Sequence, residues 1–72
     1  MAMARDVTIG VRTFRILVNA QVDTLRPVSY VAFAFEGNLQ VVSEGGDPIE
    51  LPASTENQAM ARMESYLSRR FR

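Results

Sequence analysis

A chain of 72 residues with a formal net charge of zero, 47% hydrophobic and 22% charged, is one small globular domain, neither disordered nor multidomain. It has no cysteine and no histidine, which excludes disulfides, thiolate nucleophiles and zinc sites together. A chain this short buries only about 60% of its unfolded surface, so hydrophobic gain and ordering cost nearly cancel, and a partner is the remaining source of buried area.

The first residues, 1–6, carry no apolar pattern and are expected to be flexible. Lacking a long apolar core, they do not read as a signal peptide, and the expected location is the cytoplasm. Two alternating patterns follow, out of phase with one another. Val7, Ile9 and Val11 occupy odd positions, whereas Phe14, Ile16, Val18, Ala20 and Val22 occupy even ones. A period of two cannot bring both sets to one face without an extra residue. One long strand bent by a bulge near Arg12 and Thr13 resolves the conflict and is preferred to a turn at Gly10. Leu17 falls on the otherwise polar face, among Arg15, Asn19 and Gln21.

A turn is predicted over residues 23–27, where Pro27 biases Arg26 toward extended backbone. Residues 28–35 are apolar at almost every position. The odd side is large (Val31, Phe33, Phe35) and the even side mostly small (Val28, Tyr30, Ala32, Ala34). A strand apolar on both sides needs two covering layers. The next reversal, at Gly37 and Asn38, is predicted as a three-residue loop with Asn38 in the left-handed region. That register sets Phe35 against Leu39 and Phe33 against Val41, and collects the large apolar side chains on one face. Gly45, Gly46, Asp47 and Pro48 form a further turn, and residues 49–51 a short extended piece kept to an edge by the flanking prolines.

A helix is predicted over residues 54–71. Thr55 and Gln58 match a capping box, and Glu56 suits the positive end of the helix dipole. Met60, Met63, Leu67 and Phe71 recur at spacings of three and four, flanked by Ala59 and Tyr66, and form the apolar stripe. The expected fold is therefore α+β: a small antiparallel sheet of three to four strands over residues 7–51, with one C-terminal amphipathic helix packed on one face. Residues 1–72 form a single domain. In size and element order the chain is similar to small phage-encoded inhibitors such as anti-CRISPR proteins, a likeness of plan that no motif carries.

Catalysis has few candidate residues. With no His, Cys or Lys, the commonest general base, the thiolate and the Schiff-base amine are all missing. Gly45 and Gly46 lead into Asp47 and Pro48, not into the Lys and Ser or Thr of a phosphate loop. Glu44, Asp47 and Glu50 lack the ordered oxygen spacing of a calcium loop and read as a solvated acidic turn. No enzyme activity, cofactor or metal is expected, and no apolar run is long enough to cross a membrane.

Charge is informative by position. Residues 36–56 hold five carboxylates and no base, whereas residues 57–72 hold Arg62, Arg69, Arg70 and Arg72 against Glu64 alone. The function that fits best is a non-enzymatic protein-interaction module, working as a homodimer or as a small subunit or regulator. Its expected interface is the small-residue face together with Leu17: Leu17, Val28, Tyr30, Ala32, Ala34 and Val42. Left in water, that face would be a larger apolar patch than a monomer usually exposes. The alternative is a nucleic-acid surface in which Arg62, Arg69, Arg70 and Arg72, with Arg12 and Arg15, bind phosphates.

Overall fold

The structure, a computed structural model, describes residues 3–23 and 26–72; the side chains of residues 22–28 lie outside the description. Strands β1 (Met3–Ile9), β2 (Arg12–Asp23), β3 (Arg26–Glu36), β4 (Leu39–Gln40) and β5 (Leu51–Ala53) form one antiparallel sheet, and a single helix, α1 (Glu56–Phe71), packs against it. The spatial order is β1-β2-β3-β4, with β5 also paired to β3. The fold is α+β.

The bulge expected at Arg12 and Thr13 is replaced by a hairpin. The chain reverses at Gly10, which adopts a φ of 64°, and at Val11, so that Val7 lies opposite Phe14 and Arg5 opposite Ile16. Every pair joins residues of opposite parity, so the odd residues of β1 share a face with the even residues of β2. The two out-of-phase patterns thus reach one face by reversal, with no inserted residue, and a glycine supplies the turn geometry that matches strand twist. Val11 falls in the turn and is fully exposed. Residues 3–6, expected to be flexible, pair with residues 15–18 as the start of β1.

β2 continues into β3 with Ile16 opposite Ala34, Leu17 opposite Phe33 and Val18 opposite Ala32; the register shifts between Gln21 and Asp23. Thr24 and Leu25, at the centre of the predicted 23–27 turn, lie outside the described residues. The β3–β4 turn has two residues, not three. Phe35 pairs with Gln40 and Glu36 with Leu39; Gly37 takes the positive φ of 61°, which no non-glycine residue described here does. Glycine accepts that conformation without the steric cost that Asn38 would incur. The slip of one residue moves Val41 into the core and Leu39 out of it. The Val41 amide donates to the Ala34 carbonyl at 2.8 Å; Val41 is 7% exposed, whereas Leu39 is 76% exposed.

Residues 43–47 then leave the sheet in a tight loop, in which the Ser43 amide donates to the Asp47 carbonyl at 2.7 Å. An isolated bridge between Val42 and Pro48 closes its base. The last strand lies two residues beyond the predicted 49–51 piece. It pairs alongside residues 30–32 of β3 and tolerates Pro52 because its outer side is an edge.

Thr55 caps α1 as expected, its hydroxyl accepting from the Gln58 amide at 3.1 Å. Ala59, Met60, Met63 and Leu67 are buried and Phe71 half-buried, so the stripe seen in the sequence is the face that packs. The face it covers is the opposite of the one expected. α1 lies over Phe14, Ile16 and Val18 of β2 and over Ala32 and Ala34 of β3, all fully buried. The β2–β3 register is the reason, because it groups the even, bulky residues of β2 with the even, small residues of β3. Those alanines leave room for the helix to sit close to the sheet. Leu67 is fully buried in this layer. Leu67→Ala is expected to cost about 2–5 kcal/mol, read as a lowered midpoint in a circular dichroism melt.

Candidate functional site

The side of the sheet turned away from α1 carries a row of large apolar residues. Along its middle, Leu17 of β2 lies opposite Phe33 of β3, with Arg15 opposite Phe35 on one side and Asn19 opposite Val31 on the other. Val31 is 4% exposed, yet it is not part of the hydrophobic cluster beneath the helix. Leu17, Phe33 and Phe35 are half-buried and also stand outside that cluster. They shelter one another along the twisted surface, and no element among the described residues forms a second layer over them. Directly opposed aromatic and branched side chains of this kind make a firm surface whose shape is set by the sheet.

Polar groups surround this strip. Asp6 and Arg15, cross-strand partners on this face, form an ion pair in which Arg15 Nε donates to Asp6 Oδ1 at 2.9 Å. The hydrogen bond from Arg15 holds the Asp6 carboxyl below its usual range. Both groups are more than half exposed, so the pair adds little to stability. What it does is neutralise both charges at the border of the apolar strip.

The residues predicted for the interface separate in space. Leu17 is on the open face. Ala32 and Ala34 are in the core under α1, and Tyr30 is half-buried on that same side, lining a shallow hollow with Met3, Ser54 and Thr55 at the start of the helix. Val42 is 37% exposed beyond the far edge of β3. The Val28 side chain lies outside the described residues. Val31, Phe33 and Phe35 belong to the open face and were missing from the predicted set. Their signal in the sequence is the large odd side of residues 28–35.

The arginines proposed for phosphates are drawn into several separate contacts. Arg12 makes a two-pronged pair with Glu36, Nε to Oε2 at 2.7 Å and Nη2 to Oε1 at 2.6 Å. Its guanidinium also lies 4.5 Å from the centre of the Phe71 ring. Arg70 lies on Phe71 as well, at 4.9 Å, while donating to the Tyr66 hydroxyl and to the Val42 carbonyl. Phe71 in turn meets Phe14 with ring centres 4.9 Å apart. The end of α1 is thus held by an aromatic ring touched by two guanidinium groups, each anchored by hydrogen bonds. Arg62 donates to the Pro52 carbonyl and ties the middle of the helix to β5. Arg69 and Arg72 donate to groups of their own helix, the Ser65 carbonyl and the Ser68 hydroxyl. Arg15 is on the opposite side of the sheet with Asp6. The six arginines form no single array.

Comparison of the chain with protein-family models, with curated proteins and with solved structures finds no match.

The hydrogen bonds from Arg12 lower the Glu36 pKa from its ordinary value. A carboxyl whose pKa is lower in the folded state stabilises the fold above its unfolded pKa. That contribution is lost as pH falls through the lower, folded value. Glu36→Gln is therefore expected to melt below the wild type at neutral pH, and the gap should close below about pH 4. Thermal melts of both proteins between neutral and acid pH measure this directly.

Proposed function

We propose that this chain is a non-enzymatic protein-interaction module, working as a homodimer or as a small subunit or regulator, with the open face of its sheet as the binding surface. The observation that carries the reading is the row formed by Leu17, Val31, Phe33 and Phe35, which no second layer covers among the described residues.

Chemistry supports it. The chain offers Ser, Thr, Tyr, Arg and carboxylates for catalysis but no His, Cys or Lys. Among the described residues, no three acidic groups gather into a metal-binding cluster, and no helix is long and apolar enough to cross a membrane.

Capture from an extract of the source cell, repeated at rising salt, tests the proposal. An apolar interface should hold its partner from about 50 mM to about 500 mM salt, and Phe33→Glu should release it, because a charge there has to be desolvated on binding. Replacing Arg69 and Arg72 with Gln, which leaves the Arg70 clasp in place, should leave capture unchanged. The opposite pattern, a complex that dissolves as salt rises, ignores Phe33→Glu and is lost in the double Gln variant, would overturn the reading in favour of phosphate binding.

A further inference from the structure

The two edges of the sheet are finished differently. On the β3 side the edge is broken into β4 and β5, interrupted by the 43–47 loop and occupied by Pro48 and Pro52. These are the devices that stop one sheet from adding to another. The β1 edge has none of them. It runs unbroken for seven residues, Met3–Ile9, pairs only with β2, and contains no Pro, Gly or Lys. Its two charged residues are already engaged within the chain, Arg5 with Glu64 at 2.8 Å and Asp6 with Arg15.

The free hydrogen-bonding groups of this edge can be named. A two-residue turn closes on a hydrogen-bonded pair, here Ile9 and Arg12, so the odd residues of β1 direct their backbone groups to β2. Ala4, Asp6 and Thr8 direct theirs outward, where an added strand would bond. If that strand is a second β1, antiparallel about a twofold axis, residues of the same parity must face each other. Centring the axis on Arg5 or Asp6 sets like charges directly opposite, which is unfavourable. Centring it on Ala4 leaves only residues 3–5 matched within the strand. Centring it on Val7 matches residues 5–9, placing Arg5 against Ile9 and Asp6 against Thr8.

We propose that a second copy of this chain adds to the β1 edge, antiparallel, with the Val7 residues of the two copies facing across the twofold axis. Asp6 and Thr8 then exchange backbone hydrogen bonds in both directions, and the Thr8 hydroxyl is placed to donate to the Asp6 carboxylate of the other copy. Val7 and Ile9 border the core on the helix side; Val7 gains the Val7 of the second copy directly opposite and its Ile9 on the diagonal, while Ile9 lies against the Arg5 stem. An axis perpendicular to the sheet keeps both open faces on one side. The two Leu17–Phe33 rows come to lie on the same surface of one continuous ten-stranded sheet, free for another protein. This inference goes beyond the open-face reading and depends on different residues, so either can fail alone.

Thr8→Pro separates the edge from everything else. The Thr8 amide is not used in the β1–β2 ladder, so proline there removes one outward donor and leaves the hairpin's own bonds in place. At about 100 μM, well above the Kd of a specific dimer, sedimentation equilibrium of the wild type should give twice the 8.1 kDa chain mass. Thr8→Pro should sediment as a monomer with an unchanged far-UV spectrum, and Phe33→Glu should remain dimeric. Amide exchange of Asp6 and Thr8 in the wild type gives a second readout that needs no variant. Both amides should exchange at least about tenfold more slowly at that concentration than after dilution to monomer. A monomeric wild type, a dimer that survives Thr8→Pro, or exchange at Asp6 and Thr8 that ignores concentration would each overturn the inference. A dimer lost only in Phe33→Glu would move the contact to the open face.

Discussion

The pairing of β2 with β3 is the constraint on which the rest of the molecule depends. Setting Ile16 opposite Ala34 and Val18 opposite Ala32 puts three bulky residues of one strand beside two alanines of the next. That surface has enough apolar area to hold the helix and enough room to let it approach. The same register gathers Leu17, Val31 and Phe33 on the other side. A shift of one residue would exchange the faces. The core and the open face are therefore two results of one set of backbone hydrogen bonds.

Around that centre, arginine works mainly as a connector. Each planar guanidinium can hold a carboxylate or carbonyl with some donors while resting a face on an aromatic ring. Arg12 does so between Glu36 and Phe71, and Arg70 between the Val42 carbonyl, Tyr66 and Phe71. These contacts fasten the end of a 16-residue helix that would otherwise fray. In a chain with few other means of adding stability, spreading the arginines over separate clasps reinforces several junctions at once. It also divides the positive charge that the sequence shows as one C-terminal cluster.

The surface left over has a consistent design. One edge is broken by prolines and a loop, the other is continuous, and one face of the sheet is apolar with its nearest charges paired. Arg62, Arg69, Arg70 and Arg72 make their contacts within or beside the helix, on the side away from that face. The two contacts proposed above draw on the β1 edge and on the Leu17–Phe33 row, which begins one strand in from that edge.

How much of this was legible in the sequence differs from element to element. The helix, its Thr55 cap and its Met60–Leu67 stripe could be read directly, because capping and a period near 3.6 are local properties of consecutive residues. So could the α+β class and the presence of an apolar strand needing cover on both sides. The turns were harder. Gly10 and Gly37 each allowed two geometries, and choosing between them depended on which register the far strand rewards. By itself, then, the sequence determined which segments are apolar, where the helix runs and that the central strand is apolar on both faces. Only the tertiary structure decided that Ala32 and Ala34 go under the helix and Phe33 and Phe35 stay open, because facing is a property of pairs of strands and no single strand's pattern contains it.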